Sequence, residues 1–277
     1  MNDDMTNDTA LESTGRKYRL GIALSGGGAR GFAHAGALMA IEEAGLKPDV
    51  VAGVSAGSVV AVLYAAGVRP ADIPRLFSNA GMSDFTTLSL GQGGLLSAEK
   101  FKKFVMKAIG GYTRLEDLPM PVYIGVTDFD RGVATEFHRG PIGDVMLASC
   151  SIPIVFRPVN IDGVNYVDGG VLRNHPAWIL RDKCDKLIGI NVSPLNQRAN
   201  PSSLLDVAMR TYNLMAKANQ NADMNLCDIS VTTPEIAHYK VFNLKNINSV
   251  FISGYIHARK ALREAGMWNP ERSTNAI

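Results

Sequence analysis

Apolar and polar positions alternate along this chain with two periods, one suited to strands and one to helices. Leu20 to Leu24 is a short apolar run that reads as a buried strand. Behind it, Ala37, Leu38, Ile41 and Ala44 recur at helical spacing, and Gly45 stands where a helix would stop. Val50 and Val51 open a second strand, and Val59 to Ala66 form a second helix-compatible run. The strands expected in all are 18–24, 50–52, 122–127, 135–137, 159–161, 165–167, 186–191 and 229–232. Asp162-Gly163 between two β-prone runs signals a hairpin. Strand–helix alternation predicts βαβ units, hence an α/β fold with a mostly parallel sheet. Residues 204–227 read as one long helix rich in methionine (Met209, Met215, Met224), a residue suited to core, subunit-interface or acyl-chain contact. The glycine-rich stretch 80–96 fits neither period and reads as a packed surface loop or a lipid-contacting lid.

Composition narrows the class. With 277 residues and 46% hydrophobic content, the chain supports one large α/β domain over residues 17–268. A polar lead-in (residues 1–16) is expected to be disordered, and a short tail (residues 269–277) to fray. The net charge of +2 argues against a nucleic-acid-binding surface. Three widely spaced cysteines (Cys150, Cys184, Cys227) have no metal-ligand or redox spacing and fit a reducing compartment. No stretch reaches the roughly 20 apolar residues of a membrane span, and the start lacks the pattern of a secretory signal. The expectation is a cytoplasmic protein with transient contact to a membrane surface, no cofactor and no metal. Whether it forms a homodimer stays open.

Two glycine-rich turns and one acidic turn carry the candidate chemistry. Gly53-Val54-Ser55-Ala56-Gly57 sits between a strand and a helix, where G-x-S-x-G becomes a nucleophile elbow. The glycines let strand and helix approach, and the helix N-terminus favours negative charge at the hydroxyl. A plain small-residue turn is the competing reading. Upstream, Ser25-Gly26-Gly27-Gly28-Ala29-Arg30-Gly31 follows the first strand and precedes the first helix. Consecutive glycines can turn their N–H groups to one point, an anion site suited to the oxyanion of acyl transfer. Arg30 either adds positive charge or braces the loop. Gly26, Gly28 and Gly31 also fit a dinucleotide fingerprint, which wants an acid at the end of the next strand about 20 residues on. Asp49 lies instead at that strand's start. Tyr166-Val167-Asp168-Gly169-Gly170 ends another strand in a carboxylate, either exposed to a cleft or capping its own turn. None of the five histidines (His34, His138, His175, His238, His257) lies in an elbow-facing motif, although a triad through His238 or His257 is a rival arrangement.

The ordered set Gly26-Gly27-Gly28-Ala29-Arg30-Gly31, Gly53-Val54-Ser55-Ala56-Gly57 and Asp168-Gly169-Gly170 resembles the patatin-like phospholipases. The resemblance spans residues 18–195 and extends to Ala148-Ser149-Cys150-Ser151-Ile152-Pro153, Phe156-Arg157-Pro158 and Asn174-His175-Pro176. It implies a three-layer α/β/α fold and a Ser–Asp dyad, with Ser55 as nucleophile and Asp168 as proton acceptor. The backbone of Gly26, Gly27 and Gly28 would form the oxyanion hole, supported by Arg30, Gly31, Gly53, Gly57, Gly169 and Gly170. The implied substrate is a lipid or other acyl ester. An acyltransferase on the same chemistry, or a non-catalytic module with the same fold, are the alternatives.

Overall fold

A computed structural model describes residues 16–79, 81–88, 94–195 and 202–268. Its strands are β1 (Tyr18–Leu24), β2 (Val50–Val54), β3 (Thr87–Leu88), β4 (Gly94–Ser97), β5 (Val122–Asp128), β6 (Val133–Phe137), β7 (Ile154–Phe156), β8 (Val159–Ile161), β9 (Val164–Asp168), β10 (Cys184–Asn191) and β11 (Ile229–Thr232). Its helices are α1 (Phe32–Glu43), α2 (Ala56–Ala65), α3 (Ile73–Phe77), α4 (Met82–Phe85), α5 (Glu99–Ala108), α6 (Ile142–Ser149), α7 (Ala177–Leu180), α8 (Leu204–Ala218), α9 (Gln220–Met224) and α10 (Ile247–Glu264).

The main sheet runs β11-β10-β1-β2-β5-β9-β8, with β6 also paired to β5. The stretch from β11 to β5 is parallel, whereas β6, β9 and β8 join antiparallel. β2 and β5 are buried along their whole length, which is why they read as apolar runs rather than as alternation. Ile22, Leu24, Val51 and Ile124 belong to a large core with α1, α2, α6 and α10. Ala23, Ala52 and Tyr123 join a separate core with Ala177, Ile179 and Leu180 of α7. Helices thus cover both faces of a central sheet, the layered α/β/α arrangement. Among the described residues, no helix is long and apolar enough to cross a membrane.

Pairing on β5 positions the site. β6 pairs with residues 124–128 of β5 along one edge. β2 and β9 must therefore share the other edge: β2 up to Val54↔Gly125, and β9 from Asp168↔Val126. A parallel and an antiparallel strand meet end to end there. The turn after Val54 and the end of β9 consequently emerge at one point, although Ser55 and Asp168 stand 113 positions apart in the sequence. The β8–β9 turn is the expected hairpin, with positive φ at both Asp162 (52°) and Gly163 (86°).

Three details differ from the sequence reading. The expected long helix over 204–227 is two helices, interrupted at Asn219, whose side-chain amide donates to the Leu172 carbonyl. A small second sheet, β3-β4-β7, was not expected, because its strands are only two to four residues long. Of the 80–96 stretch, residues 80 and 89–93 lie outside the described residues; elsewhere in it Phe85 is buried and Leu95 is exposed.

Candidate active site

Ser55 occupies the turn between β2 and α2 with φ 51° and ψ −124°, a conformation that few residues other than glycine adopt. The turn is held from several directions. The Ser55 N–H donates to Ser149 Oγ at 2.8 Å, and Ser149 Oγ in turn donates to the Gly125 carbonyl at 2.7 Å. The Ser55 carbonyl accepts from the Ser58 hydroxyl at 2.6 Å. A Cβ on Gly57 would run into the Leu24 carbonyl, so this glycine is what lets α2 start hard against the end of β1. Gly53 packs under Gly57, and Gly31 packs against Ala56.

The glycine loop lies beside this turn because β1 and β2 are parallel neighbours, with Leu24 paired to Gly53. A Cβ placed on Gly26 would sit 3.2 Å from that of Ser55. The Gly26 N–H donates to the Asn174 carbonyl at 3.1 Å. Among the described residues, the Gly27 and Gly28 N–H groups have no hydrogen-bond acceptor. Gly28 has φ 58° and, like Ser55, lines the cavity described below. Arg30 does not line that cavity and braces the loop: its guanidinium donates to the carbonyls of Tyr239, Pro194 and Ala237.

Asp168, at the end of β9, is fully buried. Its N–H donates to the Ser151 carbonyl, and its own carbonyl accepts from Thr127 Oγ1. Carboxylate Oδ1 accepts the Gly170 N–H at 2.8 Å and the Tyr212 hydroxyl at 3.0 Å. Oδ2 is buried and, among the described residues, accepts no hydrogen bond. Burial pushes this carboxyl up to about 6, against the pull of the Ser55 hydroxyl, the Gly170 N–H and Tyr212. Gly169 packs on the Gly125 carbonyl and on Val54, closing the junction of β2 and β9.

Ser55 opens onto a cavity in which nearly every lining side chain is apolar. Val59, Val60 and Leu63 of α2 form one wall, and Phe77, Phe85 and Phe101 form another. The last three rings touch one another, with centroids 5.5 to 6.4 Å apart. The Cys150 thiol lines the cavity as well, and burial raises its pKa, so it stays neutral.

The histidines stand apart from this cluster. None of the five hydrogen-bonds Ser55 or Asp168. His34 contacts the Ser25 carbonyl at 2.8 Å, and burial lowers its pKa to about 4. His175 is equally buried and lowered to about 3. His257 pairs with Glu235 at 2.8 Å, and His238 stacks on Tyr239. Asp49, in the loop before β2, accepts the N–H groups of Arg19 and Leu20 on β1.

Three residues at the site escaped sequence reasoning. Ser149 and Asn174 lie in segments already noted as similar to the family, yet nothing local marks them as braces for the elbow and the glycine loop. Tyr212 was visible only as one aromatic residue in a methionine-rich helix.

Comparison with known proteins bears on the family and the fold. Residues 22–181, more than half of the chain, match the family model described as patatin-like phospholipase. An uncharacterised NTE family protein of Mycobacterium tuberculosis is 35% identical over 178 residues, covering 63% of this chain and 49% of its own. A lysophospholipase of Emericella nidulans is 24% identical over 280 residues, covering 88% of this chain and 18% of its own. The chain therefore spans about half the length, or less, of the curated relatives it matches. Among solved structures, VipD from Legionella pneumophila shares the fold at TM-score 0.50 and 15% identity, over 90% of this chain and 67% of that one. Sequence, fold and motif order together show that the chain belongs to the patatin-like phospholipase family.

Proposed function

We propose that the protein is a serine acyl hydrolase that cleaves carboxylic esters of lipids, of phospholipase A or lysophospholipase type. The observation that carries this reading is a serine hydroxyl beside a buried carboxylate with one unpartnered oxygen, at the end of an apolar cavity. In the first step, Ser55 Oγ forms a bond to the ester carbonyl carbon while its proton passes to Asp168 Oδ2. The tetrahedral intermediate collapses, the alcohol leaves with the proton from Asp168, and the acyl group stays on Ser55. Water then attacks the acyl-enzyme, giving its proton to Asp168, and the fatty acid departs as Ser55 is reprotonated.

A carboxyl at its ordinary pKa is a weak base for a hydroxyl. With the pKa near 6, Asp168 is a stronger base yet still about nine-tenths ionised at pH 7. The Gly27 and Gly28 N–H groups serve as oxyanion donors, each worth about 2.7–4 kcal/mol in the transition state. Gly26, whose N–H is taken by Asn174, holds the loop in place instead. The cavity suits an acyl chain rather than a headgroup, and the lysophospholipase name of the fungal relatives supports a lipid ester.

The test is hydrolysis of a panel of short- and long-chain nitrophenyl esters and lysophospholipids by the parent, Ser55→Ala and Asp168→Asn. The reading expects turnover in the parent and loss of at least a thousandfold in each variant. Undiminished turnover in either variant overturns it.

A further inference from the structure

The two oxygens of Asp168 are treated unequally, and a residue outside the segment matched by the family model is the reason. Oδ1 is occupied twice, by the Gly170 N–H and by the Tyr212 hydroxyl. Among the described residues, Oδ2 is left with no hydrogen-bond partner. Tyr212 lies on α8, 44 residues beyond Asp168 and past the matched residues 22–181. Its approach is built into the fold. A Cβ on Gly170 would collide with the phenol oxygen, so the second glycine after Asp168 is what admits Tyr212. The ring itself packs with Met209 against Ile152, Val155 and Phe156, which fixes where the hydroxyl sits.

The geometry points to Tyr212 as a positioning residue: by holding Oδ1, it keeps Oδ2 as the one carboxylate oxygen free to take the Ser55 proton. This rests on the acyl-hydrolase reading of Ser55 and Asp168. Without the phenol, Oδ1 keeps only one hydrogen bond. Both oxygens can then exchange roles, and the anion loses a donor that stabilises it. The groups facing the carboxylate leave little else to perform this task. Ser55 approaches from the elbow, the Cys150 thiol from the end of α6, Tyr212 from α8, and Gly170 from its own loop. Among the described residues no charged side chain joins them, and Arg173 on the acidic loop is paired with Asp223 instead. Burial and the neighbouring carboxylate raise the phenol's pKa well above its ordinary value, so Tyr212 remains a donor throughout the working range.

Tyr212→Phe tests the inference with two readouts. In steady-state hydrolysis of a long-chain nitrophenyl ester, kcat near pH 6.5 falls about tenfold to hundredfold. KM stays within about twofold, and the acid limb of the pH profile moves up by about half a unit or more. Independently of turnover, the Asp168 carboxyl carbon is followed by NMR on protein labelled with 13C-aspartate, its signal identified by loss in Asp168→Asn. Its titration midpoint rises by the same amount in Tyr212→Phe. A carboxyl that titrates in Tyr212→Phe as it does in the parent overturns the inference, as does a fall in kcat with an unmoved acid limb. Should the parent show no Ser55-dependent turnover, the acyl-hydrolase reading fails on its own terms, and the carboxyl titration alone decides whether Tyr212 governs Asp168.

Discussion

Replacing a fully buried aspartate ordinarily destabilises a protein, yet Asp168→Asn should stabilise this one at neutral pH. Asp168 titrates near 6 when folded and near 3.8 when exposed. Its folded pKa is raised, so between those values the native state binds more protons than the unfolded state. Stability from this group is fully present below about pH 3.8, falls as pH rises through that window, and levels off above about pH 6. The full penalty is the difference of about 2.2 units multiplied by about 1.36 kcal/mol per unit, or about 3 kcal/mol. Asparagine has nearly the same shape and never ionises. Its Oδ1 can still accept from Gly170 and Tyr212. Urea or guanidinium unfolding of parent and variant from pH 4 to pH 8 measures the difference, since every other titrating group is common to both. The gain should be small at pH 4, about half its full size at pH 5 and about 3 kcal/mol at pH 7.5. A gain below about 1 kcal/mol at pH 7.5, or one that persists undiminished at pH 4, would refute the claim that burial strains this carboxylate.

Other consequences follow from the same geometry. Ser55→Gly and Ser55→Ala should both be inactive, but the glycine variant should be more stable than the alanine variant by about 1–3 kcal/mol, because only glycine relaxes at φ 51°; equal thermal midpoints would contradict this. The acid limb of kcat/KM should lie near pH 6, with activity lost as pH falls and Asp168 is protonated; a limb near pH 4 would mean that the carboxyl is not desolvated in the working enzyme. Val59 and Leu63 follow Ser55 along one face of α2, which puts Leu63 about 12 Å down the cavity wall. Leu63→Phe should therefore lower kcat/KM for long-chain esters about tenfold or more while sparing short-chain esters, and a uniform effect across chain lengths would argue that acyl chains do not enter the cavity.

The central sheet was legible because its strands are long apolar runs and its loops carry local glycine signals. The strands of β1, β2, β5 and β10 announce themselves in five to eight residues each. Ser55, Asp168 and the glycine loop could be named for the same reason: each sits in a short turn whose chemistry is written in its neighbours. Their convergence could not be read locally, because it depends on β2 and β9 sharing one edge of β5. Tyr212 was hidden for a sharper version of that reason. Nothing within its own helix distinguishes it, and its partner lies 44 residues away. The break at Asn219 was missed because neither proline nor glycine marks it; the interruption coincides with a tertiary bond from its side chain to the Leu172 carbonyl. β7 begins at Ile154, an exposed β-branched residue at φ 74°, where propensity argues against the conformation adopted. Arg30 shows the opposite case, since a basic residue in a glycine loop suggested two jobs and its three carbonyl partners favour bracing.

Trapping the covalent intermediate bears most directly on the whole account. The protein would be mixed with a long-chain nitrophenyl ester, quenched in acid within the first turnover, digested, and mapped by mass spectrometry. The acyl group should be found on the peptide carrying Ser55, accumulating in the parent and absent from Asp168→Asn. An acyl group on another residue, or product released with no acylated Ser55 at any quench time, would contradict it.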